Sequence, residues 1–315
     1  MFKYSRKEVL KIANDNDFLT NNTEKVLRLC QILAFINKSG FGEYLSLKGG
    51  TAINVFLLDL IRLSVDIDFD FSANLSKEEV APVREEIKKE ILSFMANEGY
   101  SLSGKSKFVH TLDSFVFSYN ATAGSGDVLK IEINYSDRVH VFDLTKDATL
   151  TKLGEQVEIL RLSNDEVVGS KMNALIVRTT PRDLYDVYNI LKSNVSNIAI
   201  ARKVAIFYVA LGSDIPLDFS KAVSECLDRI ALINYNKLKK TLIPVLRKSE
   251  KTDVEEMKSF VSQKIRELFK LDEAEKEFIG KFNNGVFDYK LLFGEIETND
   301  LSKHPMVIWK INNIK

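Results

Sequence analysis

The apolar positions of this chain change period along its length, and each period predicts an element. Leu27, Leu29, Ile32, Leu33 and Phe35-Ile36 recur at roughly helical intervals, so residues 1–45 read as helices until Gly40 and Gly42 break the pattern. Thr51 to Leu60 is apolar almost throughout and predicts a buried helix opening after two glycines. From Val65 to Phe71 the chain alternates strictly. Val65, Ile67, Phe69 and Phe71 fall on one face and Asp66, Asp68 and Asp70 on the other, which is the pattern of a strand with an acidic face. Ser76-Lys77-Glu78-Glu79 has the form of a capping box. Pro82 lies inside the helix that box would open, so a start near Pro82, with the helix running to about Asn97, is the alternative. Strand-like runs follow at about 107–111, 114–120 and 128–135, the last two joined by a Gly124-Ser125-Gly126-Asp127 turn. Residues 139–144 and 157–162 are two further candidate strands.

The character changes at Ser163. Ser163-Asn164-Asp165-Glu166 repeats the capping-box pattern, and from there to about residue 292 the chain reads as helices. The expected fold class is therefore α+β: a mixed sheet with helices over 1–162, then a mainly helical part over 163–315 that completes the same site. A length of 315 residues suits two domains and a sizeable core. Lys plus Arg and Asp plus Glu each number 44. With no basic excess, any nucleic-acid contact must come from a local patch. Cys30 and Cys226 lie in apolar surroundings and read as buried free thiols of a reducing compartment. The start lacks a signal-peptide core, and no apolar run reaches the length of a membrane span. The expected location is the cytoplasm.

Chemistry concentrates around the acidic strand. Side chains two apart on a strand lie about 7 Å apart, which lets Asp66 and Asp68 clamp divalent ions together with substrate phosphates. An isolated Asp-Ile-Asp is more often the solvated face of an edge strand. The context argues otherwise. Gly49-Gly50-Thr51 precedes the strand by one helix length, where paired glycines let backbone N–H groups approach a phosphate and Thr51 adds a hydroxyl. Lys48 and Arg62 add cations. The glycine spacings are neither those of a Walker A loop nor those of a dinucleotide fingerprint. In Val128–Tyr135, Lys130, Glu132 and Asn134 share the polar face. Glu132 is the candidate third ligand, or the base that takes the acceptor's proton; otherwise it is a strand glutamate paired with Lys130.

Lys48-Gly49-Gly50-Thr51-Ala52, with Arg62, Ser64 and Asp66-Ile67-Asp68-Phe69, resembles the signature of the AbiEii/AbiGii toxin nucleotidyltransferases, within the DNA polymerase β-like superfamily. A second stretch carries the same resemblance: Lys171-Met172-Asn173-Ala174-Leu175, then Arg178, then Arg182-Asp183-Leu184-Tyr185-Asp186. Thr51 stands where the wider superfamily usually has Ser, which keeps the hydroxyl. The resemblance implies a polymerase β-like sheet and transfer of a nucleoside monophosphate from an NTP with Mg²⁺, two ions in the expected scheme. It also implies a bacterial toxin of a type IV toxin–antitoxin system, acting in phage defence by abortive infection beside a separately encoded antitoxin. GTP is a candidate nucleotide, and tRNA or another RNA a candidate acceptor.

Lys171 and Arg178 are seven apart and share a helix face, so they can present two cations to a triphosphate. Thr180-Pro181-Arg182-Asp183 reads as N-cap, N1 proline and acidic first turn, with Arg182 and Asp186 in i,i+4 relation. Asp183 is then either a cap or, like Asp186, a residue that orients Lys171 or Arg178 or acts on the acceptor. Tyr185 is a base-stacking candidate or a core aromatic. Lys237–Lys251 is the densest basic stretch, a solvated surface or a polyanion dock. The expected nucleotide-contacting set is Lys48, Gly49, Gly50, Thr51, Arg62, Ser64, Arg178 and Arg182. The expected catalytic set is Asp66, Asp68, Glu132, Lys171, Asp183 and Asp186, the first three also holding metal. The competing reading is a catalytically silent nucleotide- or RNA-binding module on the same fold.

Overall fold

The acidic strand lies inside an eight-stranded sheet and not at its edge. In the computed structural model, which describes residues 2–73, 75–149 and 153–314, the strands are β1 (Leu45–Lys48), β2 (Asp66–Phe71), β3 (Ser101–Leu102), β4 (Lys107–Val109), β5 (Leu112–Asn120), β6 (Gly126–Asn134), β7 (Thr145–Ala148) and β8 (Glu158–Arg161). Their order is β3-β5-β6-β2-β1-β8-β7, with β4 paired to β5. β2 runs antiparallel to β1 and parallel to β6, so its polar face cannot be explained as an edge. The opposite face supplies the core: Ile67, Phe69, Phe71, Leu129, Ile131, Ile133, Phe115 and Phe117 are all buried. Each such side chain contributes about 1.5–3 kcal/mol by leaving water.

The chain forms two compact units. The first comprises Met1–Arg138, Thr145–Arg161 and Val245–Ser249; the second comprises Val139–Leu144, Leu162–Pro244 and Glu250–Lys315. The first unit carries the sheet with helices α1 (Arg6–Asp15), α2 (Thr20–Lys38), α3 (Gly49–Ala52) and α4 (Lys77–Asn97). The second is helical: α5 (Asn164–Arg178), α6 (Pro181–Leu191), α7 (Ile198–Gly212), α8 (Phe219–Ala231), α9 (Tyr235–Thr241), α10 (Val254–Leu268), α11 (Glu273–Asn283), α12 (Lys290–Phe293) and α13 (Pro305–Asn313). Its core gathers Phe207, Phe278, Phe282 and Phe293. α5 and α7 touch at Gly169, where a Cβ would lie 2.6 Å from the Ala201 carbonyl oxygen. No helix of the described residues is long and apolar enough to cross a membrane.

Several expected elements are differently built. The helix expected over 51–60 is a single α turn, α3, that widens into a π turn at Ile53–Leu57. The Leu60 N–H closes onto the Asn54 carbonyl at 2.6 Å, with Asp59 and Leu60 in left-handed conformation, so the chain turns back early. α4 begins at its capping box and contains Pro82, because the Ser76–Glu79 box satisfies the first-turn donors independently of the proline. Residues 139–144 are not a strand. The N–H groups of Val141 and Phe142 donate to the buried Glu166 carboxylate at 2.9 and 3.1 Å and so are lost to any ladder. For the same reason Ser163 caps α5 through Glu166 N–H, but the Glu166 side chain does not complete the box. Lys237–Lys251 divides between the units. Lys237, Lys239 and Lys240 are exposed on α9, whereas Arg247 packs 4.7 Å over Phe18 and donates to the Asn16 carbonyl.

Candidate active site

The loop between β1 and β2 is shaped by its glycines. Gly49 has φ +72°, and a Cβ there would lie 2.6 Å from Asp68 Oδ2. Only glycine allows the backbone both that conformation and that approach to the carboxylate. A Cβ on Gly50 would lie 3.0 Å from Arg62 Nη2 and from Ser64 Oγ, so these two buried side chains pack on the loop backbone. Thr51 is fully buried, and its hydroxyl donates to the Asp66 carbonyl at 2.5 Å. Arg62 donates Nη1 to the Leu63 carbonyl at 2.9 Å. Asn54, which sequence reasoning passed over, ties the pieces together. Its Nδ2 donates to the Gly50 carbonyl at 2.9 Å, and its Oδ1 accepts from Arg62 N–H at 3.4 Å. A lone asparagine inside the apolar run Ile53-Asn54-Val55-Phe56 was the available signal. The polar side chains of the Gly-Gly-Thr and Arg-x-Ser stretches thus brace the loop against the strand.

The sheet register sets the electrostatics. Asp68 is paired with Lys48 on β1 and with Glu132 on β6, and Asp66 is paired with Lys130. Directly paired residues place their side chains on one face. Burial, reinforced by the Asp66 charge, pushes the Asp68 carboxyl above the usual carboxylate range, with Lys48 acting in the other direction. Lys48 does not relieve it fully, because it pairs closely with Asp70 and lies 3.5 Å from Asp137. Burial opposes the Lys48 charge, yet the nearby carboxylates, Asp70 foremost, hold its ammonium above the ordinary lysine range. Asp137 is in turn fixed by Asn134 Nδ2 at 2.7 Å. Asp137 was the second residue missed, since it lies beyond the strand and only the fold brings it to Lys48.

Glu132 lies 2.7 Å from Lys130. Among the described residues, neither the Asp66 nor the Asp68 carboxylate forms a hydrogen bond or close ion pair. Among those residues, too, no group of three or more His, Cys, Asp or Glu side chains is gathered closely enough to hold a metal ion. The donor set of Asp66, Asp68 and Glu132 is nevertheless of the chemical type that a hard divalent cation takes. It is all oxygen, two members sit on one strand, and the repulsion carried by Asp68 is what such a cation relieves.

The second unit holds the other predicted charges. Lys171 is buried on α5, with Nζ 3.1 Å from Asp183 Oδ1 and 3.0 Å from Asp186 Oδ2. Arg178 grips Asp183 with two nitrogens at 2.9 and 3.0 Å, while its own side chain stays 62% exposed. Thr180 and Asp183 form the capping box of α6, with Pro181 opening the helix as expected. Burial alone would raise the Asp183 carboxyl, but Lys171 and Arg178 drive it far below the usual range. Arg182 donates Nε to the Thr241 carbonyl at 2.7 Å. Tyr185 is a core residue.

No curated protein sequence matches the chain. Among solved structures, MenT4, a nucleotidyltransferase toxin from Mycobacterium tuberculosis, superposes with a TM-score of 0.66 at 14% identity, covering 99% of this chain and 100% of that one; the likeness is one of fold. A structure from H. pylori assigned to the nucleotidyltransferases reaches only 0.39 at 18% identity, over 78% of this chain and 98% of that one. The family model described as "Nucleotidyl transferase AbiEii toxin, Type IV TA system" matches residues 31–274, which span the Gly-Gly-Thr loop, the acidic strand and the Lys171–Asp186 cluster. The chain therefore belongs to the AbiEii family of nucleotidyl transferase toxins of type IV toxin–antitoxin systems.

Proposed function

We propose that the chain transfers a nucleoside monophosphate from an NTP to an acceptor hydroxyl in a magnesium-dependent reaction, with Asp66, Asp68 and Glu132 as the metal-holding set. The observation that carries this reading is that Asp66 and Asp68 share one face of an interior strand, where Asp68 is only partly relieved by Lys48 and Lys130, beneath a loop that only glycine can form. Bound there, magnesium, as two ions in this scheme, would neutralise the nucleotide phosphates and acidify the acceptor hydroxyl. Asp66 and Asp68 are the fixed members, since the loop and β1 hold them. Glu132 is the third, either as a ligand or as the acceptor of the hydroxyl proton. Gly49 and Gly50 keep the loop low enough for a phosphate to approach. Thr51, Asn54, Arg62 and Ser64 hold that loop to the strand. Lys48, fixed by Asp70 and Asp137, sets the potential around Asp68.

In the helical unit, Asp183 and Asp186 are positioning residues for Lys171. The ammonium they hold and the exposed Arg178 are the candidate phosphate ligands of that unit, and Arg182 joins them at lower priority because the Thr241 carbonyl already engages it. In the reaction, the acceptor oxygen bonds to the α-phosphorus as the bond to the β-phosphate oxygen breaks, and pyrophosphate leaves with that electron pair. The acceptor in this reading is tRNA or another RNA, with GTP among the candidate nucleotides. The biological setting is abortive infection against phage, restrained by a separately encoded antitoxin in the cytoplasm.

The test incubates purified protein with total RNA and each of four α-labelled NTPs, with and without Mg²⁺. The expected outcome is one labelled RNA species, lost in Asp66→Asn and Asp68→Asn. Nucleotide affinity without any labelled product would instead identify a silent binding module.

A further inference from the structure

The acidic face contains a cation of its own. Lys130 Nζ lies 2.7 Å from Glu132 Oε2, with the two side chains 40% and 26% exposed. Lys130 is paired with Asp66 in the sheet, and Glu132 with Asp68. All four side chains therefore share one face, and the Lys130 charge acts on Asp68 as well. The other lysine of this face, Lys48, already has Asp70 and Asp137 as its counter-ions. Lys130 is different. Its ion-pair partner among the described residues is Glu132, the acid that must join Asp66 and Asp68 before three carboxylates can serve one cation. A half-exposed lysine pair on a flexible stem is weak and easily broken.

We propose that Lys130 is a built-in counter-ion that competes with the divalent metal for Glu132. Without metal, its ammonium partly offsets three carboxylates and keeps Glu132 out of a three-acid grouping. When metal binds, Glu132 exchanges the ammonium for the metal, and Lys130 is released with its charge intact beside the site. The charge of the face is thus partly offset without metal, at the expense of metal affinity. That affinity is then set by one lysine rather than by the carboxylates alone. The inference rests on the reading of Asp66, Asp68 and Glu132 as the metal-holding set.

The test is Mn²⁺ binding to the intact chain without nucleotide, followed by electron paramagnetic resonance of the free ion. Lys130→Met keeps the stem and removes the charge. It should bind Mn²⁺ about tenfold more tightly, the effect of one charge on a divalent ion roughly 7 Å away in a water-like dielectric. Lys130→Arg should stay within about twofold of the parent, because it keeps the charge. In a Lys130→Met background, Glu132→Gln should erase the gain, since the two residues are coupled. Lys130→Gln provides a second neutral variant if the methionine variant loses its native thermal transition. Unchanged or weaker Mn²⁺ binding in folded neutral variants, with binding still lost in Asp68→Asn, overturns the counter-ion role alone. Mn²⁺ binding that persists unaltered in Asp68→Asn overturns the reading of the acidic face itself, and this inference with it.

Discussion

The first unit and the second each hold a cluster of aspartates and lysines, in opposite electrostatic states. Around Asp68, the carboxylates outnumber the cations available to them, and its carboxyl is pushed up. Around Asp183, two cations converge on one acid and its carboxyl is driven down. The same residue types therefore do different work. A buried cluster that balances its own charge is a device for holding geometry. One that leaves carboxylates unsatisfied stores a cost that an external cation relieves. The direction of the pKa displacement, more than the presence of acids, separates the candidate reaction centre from the candidate positioning cluster.

Four substitutions test that contrast, from the largest expected effect to the smallest. Asp68→Asn should lower nucleotide transfer by about a thousandfold or more, since charge stabilisation carries most of this chemistry. The same change should leave thermal stability unchanged or raised at neutral pH. A carboxyl whose pKa is raised by folding weakens the folded state at pH values above its ordinary range, and the amide removes that burden. A clear loss of stability in Asp68→Asn, read by calorimetry, would break the comparison.

Asp183→Asn should do the reverse, costing roughly 3 kcal/mol of unfolding free energy in urea, because the buried Lys171 ammonium keeps only Asp186 of its two carboxylates and Arg178 loses the one it grips. A depressed carboxyl contributes stability above its ordinary range, and that stability is lost as pH falls toward its folded value. The parent should therefore lose stability more steeply in acid than the variant. Parallel acid limbs in the two proteins would contradict the assignment.

Gly49→Ala places a methyl against the Asp68 carboxylate at positive φ. A cost of about 1–3 kcal/mol is expected, together with a fall in kcat larger than the stability change alone explains. Thr51→Val removes one buried hydroxyl from the Asp66 carbonyl. It should cost about 1 kcal/mol and leave the KM for NTP near that of the parent. A large rise in KM would show that Thr51 meets the nucleotide directly rather than bracing the strand.

Much of the centre was readable in one dimension because a strand exposes alternate residues to one face. Strict alternation over Val65–Phe71 was enough to place Asp66, Asp68 and Asp70 together, and the glycine pair marked the loop that approaches them. What alternation cannot give is the neighbouring strand. The pairing of Glu132 with Asp68, and of Lys48 with the same aspartate, depends on which strands lie beside β2. Asp70 was expected on the same face but outside the metal-holding set, and the fold made it the counter-ion of Lys48. Thr51 looked like a phosphate donor, and burial turned its hydroxyl to the Asp66 carbonyl.

The helical part repeats the lesson at longer range. Thr180-Pro181-Arg182-Asp183 declared its cap locally, because capping is settled within four residues. Residues 139–144 looked like a strand until Glu166, more than twenty positions later, took their N–H groups. The basic stretch after Tyr235 looked continuous until Arg247 packed on Phe18. By itself, the sequence determined the family, the acidic strand and the cap of α6, all of which rest on local spacing and local hydrogen bonds. The tertiary structure decided which of the pairings that the sequence left open form, and added Lys48 with Asp70 and Asp137, which local spacing does not give. Charge compensation depends on distance in space and on the water removed between groups, and neither is a property of neighbours in the chain.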